Sequence, residues 1–575
     1  MIVLGVNAFH GDASAAILVN GRLVAAVEEE RFTRVKHDAG LPINAVRYCL
    51  AAAGARLSDV DHIAIPRDPR AHLLRKTWHA LRMPRFTAGR LLVHARTAGI
   101  VQALARELGE DSTPLRAREH RVEHHRAHIA SAFFASPFDR AAVLSLDGLG
   151  DFSSARWGAG EGSRLHLRGG VAFPHSIGLC YTAFTQLLGF PHYGDEYKVM
   201  GLASYGAPTQ LETMRHILRT GPAPGYALDL SCFTHHRTGP AMSWDGGTPV
   251  LGQLFSDNLE RRVGPRREPA AALEAHHHEV AASLQARLDE VVAEHWTHVA
   301  RGAASGNLAY AGGVALNCVA NGRALAHGET QRLFIPPPAG DGGLSLGAAL
   351  QVWHEVLGQP RDFVLEHAAW GPEYDEATIT RALDDAGLTR RRADDAAVLA
   401  RNVADSLVQG RVVGWFQGRS EFGPRALGQR SILADPRRAD MQGLLNARIK
   451  RRESFRPFAP SVMAEHTAEW FDGPLLSPFM LLAVPVRQHK RALVPAVTHV
   501  DGTSRPQAVN RAALPLYWSL ISEFHDRTGV PMVLNTSFND NEPMVQTPAD
   551  AVRSFTRGDL DVLAIGPFLV TRDPA

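Results

Sequence analysis

The chain has 575 residues, of which 45% are hydrophobic and 21% are charged, and its formal net charge is +2. This length exceeds what one hydrophobic core serves, so we expect two or more domains. The nearly balanced charge gives no general attraction to nucleic acid or to anionic membranes, and we expect neither as a partner.

The beginning of the chain and its cysteines favour a soluble, cytoplasmic protein. Segment 1–20 has no basic leading region and Asp12 interrupts its apolar run, which predicts strands and not a signal peptide. No stretch approaches the roughly 18 apolar residues that a membrane span needs. Four widely spaced cysteines, with no CxxC pair, predict neither a disulfide framework nor a zinc knuckle. They are Cys49, Cys180, Cys232 and Cys318.

The first 65 residues predict a strand triplet followed by a helix and a further strand. The strands are IVLGVN, ASAAILV and RLVAAVEEE, with Asn20-Gly21 as a hairpin turn between the last two. Apolar residues at helical spacing predict a helix from Ile43 to about Gly54, and HIAIP predicts the next strand.

A similar arrangement recurs from about residue 142. AAVLSLDGLG, FSSARWGAG and LHLRGGVAF predict three strands, and NLAYAGGVALN later predicts another strand with a glycine turn. The recurrence indicates an internal duplication. It outlines the actin/hexokinase-type α/β fold, in which two such halves enclose a cleft. Because β-β-β-α units are common, organisation alone leaves an unrelated α/β fold equally open.

The chain becomes loop-like after a helix predicted over 271–299, and we place a domain boundary near residue 360. The expected domains are therefore 1–360 and 361–575. The second also alternates helix and strand: a helix carrying Leu399 and Leu407 precedes VVGWF, and YWSLISEFHDRTG precedes the strand VPMVLNTS.

Two histidines in the segment HHRAH have the spacing of a metal site. His124 and His128 stand at i and i+4, which places both rings on one helix face, and Asp147 or Asp341 could add carboxylate oxygens. The chain has 28 histidines, so a structural or surface pair is the competing interpretation. We interpret HHHE at 276–279 as a solvated helix face.

Glycine-rich turns after strands predict a nucleotide pocket in the same half. AGGVALN and GDGGLSLG could each present backbone N–H groups to phosphate oxygens, although tight turns are the simpler interpretation of either alone. KVMGLASYG adds a lysine beside a glycine. The residues concerned are Lys198, Gly201, Gly312, Gly313, Asn317 and Asp341.

The second domain carries a dense run of cations interleaved with Phe, Leu, Gly and Pro. A solvated basic surface is the usual interpretation of such a run. The apolar neighbours instead predict that some of the cations lie in a cleft, where buried guanidinium groups need anions such as phosphate. The run comprises Arg419, Arg425, Arg430, Lys450, Arg451, Arg452 and Arg456, and Arg505, Asn535 and Ser537 add to it.

Ten motifs in one order resemble the NodU/CmcH family of O-carbamoyltransferases, whose members modify nodulation factors, cephamycins and aminoglycosides such as tobramycin. EFGPRALG followed by FRPFAP is the most specific pair. The match covers almost the whole chain: HGDASAA, HHRAH, LDGLG, KVMGLASYG, AGGVALN, GDGGLSLG, EFGPRALGQRS, FRPFAPS, HVDGTSR and LNTSFN.

The resemblance implies an N-terminal actin/hexokinase-type (ASKHA) domain similar to the tRNA threonylcarbamoyl-transferase subunit. It implies a C-terminal domain similar to threonylcarbamoyl-adenylate synthase (YrdC). In the family, the C-terminal domain makes carbamoyl-adenylate from carbamoyl phosphate and ATP, and the acceptor hydroxyl attacks the adenylate in the first domain. The implied acceptor is a small molecule such as an antibiotic precursor or a sugar, and a homodimer is the default expectation.

Residue roles follow from the same resemblance. His124, His128, Asp147 and Asp341 would hold Fe²⁺ or another divalent metal. The glycine-rich turns themselves, and not the resemblance, place the nucleotide pocket at Lys198, Gly201, Gly312, Gly313 and Asn317. Arg425, Lys450, Arg456, Arg505, Asn535 and Ser537 would bind carbamoyl phosphate and ATP with Mg²⁺. His10 and Asp12 would be catalytic, His10 as the base, although Gly11 separates them where the family has adjacent His-Asp.

Three other classes remain as alternatives. A small-molecule kinase of the actin/hexokinase type would release ADP, and a nucleotide sensor would bind without turnover. A metallopeptidase lacks the expected glutamate, since no HExxH arrangement is present. Acceptor specificity is expected in first-domain loops and in segments 68–120 and 207–265.

Overall fold

The computed structural model describes residues 1–73, 75–77, 99–112, 115–221, 225–239, 242–244, 247–327, 330–473, 477–540 and 542–572. Parts of the two segments expected to set acceptor specificity, including 78–98, lie outside the described residues. The chain divides into two compact units, Met1–Leu365 (unit 1) and Glu366–Ala575 (unit 2). Both units combine helices with sheets, which confirms the α/β class.

Unit 1 contains fourteen strands among the described residues. They are β1 (Ile2–Asn7), β2 (Ser14–Val19), β3 (Arg22–Glu28), β4 (His62–Ile65), β5 (Arg118–Arg121), β6 (Arg140–Gly150), β7 (Ser153–Glu161), β8 (Arg164–Ala172), β9 (Leu218–Thr220), β10 (Tyr226–Leu228), β11 (Met242–Ser243), β12 (Val250–Leu251), β13 (Asn307–Ala311) and β14 (Arg332–Phe334).

Twelve α-helices accompany these strands within the described part of unit 1. They are α1 (Glu30–Thr33), α2 (Ile43–Ala52), α3 (Ile100–Leu108), α4 (His124–Phe133), α5 (Ile177–Leu187), α6 (Glu196–Leu202), α7 (Leu211–Ile217), α8 (His235–Thr238), α9 (Asp257–Val263), α10 (Ala275–Ala303), α11 (Cys318–Ala326) and α12 (Leu344–Gln351).

Two five-stranded sheets of unit 1 have the same topology. Their strand orders are β3-β2-β1-β4-β5 and β8-β7-β6-β13-β14. In each, the first three strands form an antiparallel meander and the last two run parallel to the strand that opens the meander. The repeated order is the internal duplication that the recurring strand triplets predict. At the first hairpin, Asn20 (φ 50°) and Gly21 (φ 83°) form the predicted left-handed turn.

Helix α12 lies very close to strand β1 and to helix α4. A Cβ on Gly5 of β1 would lie 1.9 Å from the Ser345 carbonyl oxygen, and one on Gly347 would lie 1.9 Å from that of Ala127. Glycine therefore lets α12 and the Asp341 loop before it reach the helix that carries His124 and His128.

Helix α10 begins four residues later than the sequence predicts. Its N-cap Glu274 is held by His277, whose Nδ1 accepts from the Glu274 N–H at 3.0 Å. His277 is 7% exposed. The interpretation of HHHE as a solvated face is therefore wrong for His277, because this ring closes the first turn of the helix.

Unit 2 is built on one eight-stranded mixed sheet of order β15-β24-β23-β16-β17-β22-β18-β21. The strands that the structure describes in unit 2 are β15 (Arg391–Arg392), β16 (Val413–Phe416), β17 (Arg430–Ala434), β18 (Ala459–Met463), β19 (Val484–Pro485), β20 (Thr503–Ser504), β21 (Gln507–Val509), β22 (Met532–Ser537), β23 (Val562–Ile565) and β24 (Phe568–Thr571). Strands β19 and β20 form a separate pair.

The α-helices of unit 2 match the predicted apolar periodicity. Leu399, Val403 and Leu407 are buried on one face of the second of them, and Gly410 (φ 79°) follows its end. The helices in the described residues are α13 (Glu376–Asp385), α14 (Ala396–Val408), α15 (Met441–Leu444), α16 (Thr467–Trp470), α17 (Pro515–Thr528) and α18 (Pro548–Arg557). No helix that the structure describes in either unit has the length and apolar character to cross a bilayer.

Candidate functional site

Three elements of unit 1 bring two histidines and two aspartates together. His124 and His128 lie one turn apart on α4, whose N-cap Glu123 accepts a hydrogen bond from the Arg126 N–H at 2.7 Å. Asp147 lies near the end of β6, and Asp341 lies in the glycine turn before α12. The four residues predicted as metal ligands thus converge from positions more than two hundred residues apart.

The nitrogen and oxygen atoms of this cluster face one another. His124 Nε2 lies 3.0 Å from Asp147 Oδ2 and 3.1 Å from His128 Nε2. Asp341 Oδ1 lies 3.4 Å from His128 Nε2 and 3.7 Å from His124 Nε2. One ligand atom from each of the four residues lies within 4.8 Å of the others. Two imidazole nitrogens directed at each other and at two carboxylates form a donor set for one divalent cation.

Burial makes a bound cation the natural complement of this cluster. His128 is fully buried, and Asp147 and Asp341 are 5% and 8% exposed. Asp341 Oδ1 forms no hydrogen bond within the described residues although it points at both imidazoles. Two buried carboxylates need a compensating positive charge. The residues present therefore fit a metal with mixed nitrogen and oxygen ligands.

The charges within the cluster shift the pKa values of its members. Burial by itself lowers the pKa of His128, but the carboxylates of Asp147 and Asp341 outweigh it and raise the pKa to about 9. Burial raises the pKa of Asp147, yet hydrogen bonds to His124 and His128 hold it well below its usual range. The cluster thus attracts positive charge, whether protons or a cation.

Outer contacts orient two of the four residues. The Gly313 N–H donates to Asp147 Oδ1 at 2.7 Å, so the glycine turn after β13 holds the carboxylate that faces His124. His10 Nδ1 lies 2.8 Å from Asp341 Oδ2, and its ring centroid lies 5.4 Å from that of His124. His10, predicted as the base, is therefore placed beside the metal cluster by its contact with Asp341.

Asp12 lies on the more open side of the cluster and contacts a histidine that sequence reasoning missed. Its Oδ1 lies 2.7 Å from His37 Nδ1, and the two side chains are 28% and 25% exposed. Tyr193 stacks edge-on against His37 at 5.3 Å. A Cβ on Gly11 would lie 2.4 Å from the Tyr193 hydroxyl, so the residue between His10 and Asp12 leaves room for this ring. No sequence pattern links His37 to Asp12, because the contact joins two loops.

The other predicted residues of unit 1 are partly engaged by the protein itself. Lys198 Nζ pairs with Asp195 Oδ1 at 2.9 Å, with Gly201 three residues further along α6. Asn317 caps α11 by accepting from the Ala320 N–H at 3.0 Å. Gly312 adopts φ 95°. These contacts define the turns in which the residues lie, and phosphate binding by them stays a prediction.

In unit 2, Lys450 and Ser537 lie together. Lys450 is 1% exposed, and its ammonium group donates to the Ser537 carbonyl oxygen and, at 2.8 Å, to Asn539 Oδ1. Ser537 Oγ lies 3.4 Å from the same ammonium group. These contacts hold the buried ammonium group beside the Ser537 end of β22.

Asn535 lies two residues before Ser537 on β22 and is 2% exposed. Its Nδ2 donates to the Ala426 carbonyl oxygen at 3.1 Å, directly after Arg425 in the loop between β16 and β17. Arg456 is half-buried with Glu453 Oε2 3.7 Å from its guanidinium group, and Arg505 is also half-buried. The structure thus joins Asn535 to the Arg425 loop and Ser537 to Lys450.

Arg430 is a cation of the predicted run that the backbone of its own loop binds. It is fully buried, but its guanidinium group donates to four backbone carbonyl oxygens, those of Gln417, Gln429, Pro372 and Gly418, at 2.7–3.2 Å. The ring of Phe416 lies 3.7 Å from the guanidinium carbon. Arg430 therefore holds the loop in place through these backbone oxygens.

Comparison with known sequences defines the class of this two-unit protein. A family model described as carbamoyltransferase N-terminus matches residues 2–350, and one described as carbamoyltransferase C-terminus matches residues 404–572. The molecule is thus an enzyme, a carbamoyltransferase. Together with its relatives, these matches confirm the resemblance of the motifs: the chain belongs to the NodU/CmcH family of carbamoyltransferases.

Three relatives align with this chain over most of its length and over most of their own. The nodulation protein NolNO of Sinorhizobium fredii is 40% identical over 99% of this chain and 80% of its own length. The uncharacterized protein sll1178 of Synechocystis is 38% identical over 99% and 96%. The 3'-hydroxymethylcephem-O-carbamoyltransferase of Streptomyces clavuligerus is 29% identical over 77% and 78%.

Proposed function

We propose that the protein is an ATP-dependent O-carbamoyltransferase that works in two steps. Unit 2, with a YrdC-like fold, makes carbamoyl-adenylate from carbamoyl phosphate and ATP with Mg²⁺. Unit 1, with an actin/hexokinase-type fold, transfers the carbamoyl group to a hydroxyl of a small-molecule acceptor. The repeated strand order of its two sheets supports the fold assigned to unit 1. A relative whose name states carbamoyl transfer to a hydroxymethyl group supports an alcohol acceptor.

The observation that carries the proposal is the buried cluster of two histidines and two aspartates in a chain of this family. Its mixed nitrogen and oxygen donors suit Fe²⁺ as well as other divalent first-row metals. A metal bound there would act as a Lewis acid toward the adenylate phosphate. Asp147 and Asp341 would supply the negative charge that holds it, and the Gly313 N–H and His10 contact these two carboxylates.

Adenylation in unit 2 requires two anions to meet. Release of phosphate from carbamoyl phosphate consumes one water and leaves a carbamate oxygen, which attacks the α-phosphorus of ATP and displaces pyrophosphate. Arg425, Lys450, Arg456 and Arg505 would reduce the repulsion between these anions, because guanidinium and ammonium groups form charge-assisted hydrogen bonds with phosphate oxygens. Ser537 would add a hydroxyl donor beside Lys450.

Transfer in unit 1 replaces AMP by the acceptor oxygen. The hydroxyl oxygen attacks the carbamoyl carbon, its proton leaves to a base, and AMP departs with the bonding electron pair. We assign this transfer step to His10 and Asp12, with His10 as the base, because both residues line the more open flank of the buried cluster. The partly exposed ring of His37 and that of Tyr193 border the same flank, where an acceptor would approach.

Pyrophosphate release tests the proposal directly. Purified protein is incubated with ATP, Mg²⁺ and Fe²⁺, with and without carbamoyl phosphate, and then with a mixture of alcohols. We expect pyrophosphate only when carbamoyl phosphate is present. Production of ADP in its place would support the kinase alternative, and ATP binding without turnover in every mixture would support a nucleotide sensor.

A further inference from the structure

Three contacts hold the ring and the backbone of His37, which lies in the loop between α1 and α2. Its Nδ1 lies 2.7 Å from Asp12 Oδ1, and its backbone N–H donates to Glu30 Oε2 at 2.8 Å. The ring of Tyr193 packs edge-on against it, with 5.3 Å between the ring centroids. Glu30 is itself held, because its Oε1 lies 2.7 Å from Arg31 Nη1. The orientation of the His37 ring is therefore determined by the protein.

One nitrogen of this ring is left for a group from outside the chain. Nδ1 of His37 faces a carboxylate, which only accepts, so Nδ1 carries a proton. Nε2 forms no hydrogen bond with any residue that the structure describes, and the side chain is 25% exposed. A Cβ on Gly194 (φ 84°) would lie 2.4 Å from Nε2, so glycine leaves this side of the ring clear. Nε2 can therefore meet a substrate atom.

Asp12 places His37 beside the metal cluster. Asn7 Nδ2 donates to the carbonyl oxygens of Asp12 and Asp341, each at 3.1 Å. A Cβ on Gly342 would lie 3.8 Å from Asp12 Cβ, so Asp12 packs against the turn that carries the ligand Asp341. Because His37 contacts Asp12 directly, its ring is the next side chain outward from that turn, on the flank assigned to transfer.

The surroundings of His37 favour its protonated form. Burial by itself lowers the pKa of this ring, but the charge and hydrogen bond of Asp12 and the charge of Glu30 outweigh it and raise the pKa to about 9. The charge of Lys36 opposes this effect, and the carboxyl group of Glu196 is close enough to interact with the ring. At neutral pH the ring thus presents a charged Nε2–H donor. Attack on a carbonyl carbon moves negative charge to its oxygen, and a fixed donor beside that oxygen stabilises the transition state.

We propose that the Nε2–H of His37 donates to the carbonyl oxygen of the carbamoyl group during transfer, and that Asp12 is a positioning residue that acts through His37. This inference rests on the proposed function and deepens it. The acceptor oxygen forms a bond to the carbamoyl carbon, its proton passes to His10, and the carbonyl electron pair moves to the oxygen that His37 contacts. When this pair returns, the bond from the carbamoyl carbon to the phosphate oxygen breaks and AMP leaves with its electrons.

A single turnover of the full-length protein with hydroxylamine as the acceptor tests the role of His37. Hydroxylamine attacks activated carbonyl carbons without a general base, so its reaction reports on the carbonyl group and not on His10. The protein is first incubated with ATP, Mg²⁺, Fe²⁺ and carbamoyl phosphate until the burst of pyrophosphate is complete. Hydroxylamine is then added, and AMP and N-hydroxyurea are measured over time.

We expect His37→Asn to slow AMP formation by about 100-fold or more, which is the usual loss when one donor to such an oxygen is removed. The pyrophosphate burst should keep its wild-type size, because adenylation is assigned to unit 2. His216→Asn, at an exposed position, is the matched control and should keep the wild-type rate of AMP formation. Calorimetric titration with AMP should give a Kd for His37→Asn within about twofold of that of the wild type, because the lost contact belongs to the transition state.

Asp12→Asn separates positioning from packing. The amide oxygen can still accept from Nδ1 of His37, but the charge that raises the pKa of this ring is lost. The rate of AMP formation relative to the wild type should therefore fall as the pH rises from about 6 to about 8.5, since more of the His37 rings are then neutral in the variant. A role of Asp12 in packing alone would lower this ratio equally at every pH and would overturn its assignment as a positioning residue.

The outcomes separate this inference from the proposed function. No pyrophosphate from the wild-type protein overturns the proposed adenylation, and a pyrophosphate burst without AMP overturns the proposed transfer; the role of His37 falls with either. A wild-type rate of AMP formation in folded His37→Asn overturns only that role. A large loss of AMP affinity in the same variant also overturns it, because the ring would then hold the phosphate and not the carbonyl oxygen.

Discussion

The Nε2 atoms of His124 and His128 lie 3.1 Å apart, and both face the carboxylates of Asp147 and Asp341. If neither Nε2 carried a proton, the two lone pairs would oppose each other, so a proton or a cation lies between them. A divalent ion satisfies all four side chains at once, and the predictions for unit 1 follow from this relationship.

His128→Ala should remove metal and leave adenylation intact. Loss of one of four ligands opens the buried cluster, and we expect bound Fe²⁺ to fall from about one ion per chain to a small fraction after dialysis, with carbamoyl transfer reduced by about 100-fold or more. Pyrophosphate release should change little, because Lys450 and the predicted phosphate-binding residues belong to unit 2. Elemental analysis measures the bound metal, and the pyrophosphate assay measures adenylation.

A neighbour on the same helix provides the control for this variant. His125 is also fully buried, but its Nδ1 contacts Ser145 Oγ at 2.9 Å and it is not one of the clustered ligands. His125→Asn keeps a polar atom near Ser145 and should retain metal. Equal metal loss in both variants would show that damage to α4 explains the effect.

Arg456→Ala should show the opposite pattern. Removal of a guanidinium group from the predicted phosphate site should lower carbamoyl-phosphate-dependent pyrophosphate release by about 100-fold or more, while metal content stays at the wild-type level. Arg438→Ala is the matched control, because Arg438 is 38% exposed and pairs with Asp440 on the surface of unit 2. Retained pyrophosphate release with lost metal would contradict the assignment of the two steps to the two units.

Gly313→Ala should weaken the metal site without altering a ligand. A Cβ at this position would lie 2.9 Å from Asp147 Oδ1, the atom that the Gly313 N–H holds, so the carboxylate must shift. Displaced outer contacts typically cost 10–100-fold in metal affinity, and we expect a change of about that size. Competition with a chromophoric chelator measures it. Gly252→Ala, where nothing lies within 4 Å of the new Cβ, should leave the affinity unchanged.

Local patterns predict much of unit 1. The strand triplets and the Asn20-Gly21 turn follow from alternation and turn chemistry, and the i, i+4 spacing places His124 and His128 on one face of α4. The structure adds what no window of sequence contains. Asp341 reaches the histidines only because Gly5 and Gly347 let α12 approach β1 and α4 closely.

The partners of other buried charged residues could not be predicted from the sequence, because neutral backbone groups can bind them as well as charged groups. Arg430 stands in a cationic run beside apolar residues, which predicts an anion, and the structure shows its guanidinium group donating to backbone carbonyl oxygens. Glu421 has a comparable role on the same loop, where its carboxylate gathers backbone N–H groups. Whether a buried charge faces a ligand or the backbone depends on loop conformation, which a single sequence does not reveal.

The pairing of His37 with Asp12 should make stability depend on pH. Burial alone would lower the pKa of His37, but the charge and hydrogen bond of Asp12, with the charge of Glu30, outweigh it and raise the pKa from 6.5 to about 9. A pKa raised by folding stabilises the folded state fully below about pH 6.5, and this stabilisation is lost as the pH rises through about 9. Because a quarter of the ring is exposed, we expect about 2 kcal/mol.

Thermal unfolding of His37→Asn against wild type measures this contribution. At pH 6.5 the variant should melt about 3 °C lower, since its neutral amide lacks the charge that Asp12 and Glu30 stabilise. At pH 10 the difference should nearly vanish, because His37 is then neutral in the wild-type protein as well. His216→Asn, at an exposed position, should show no such pH dependence. If the melting temperature of His37→Asn stayed below that of the wild type by the same amount from pH 6.5 to 10, packing of the His37 ring would explain the loss of stability, and its charge would not.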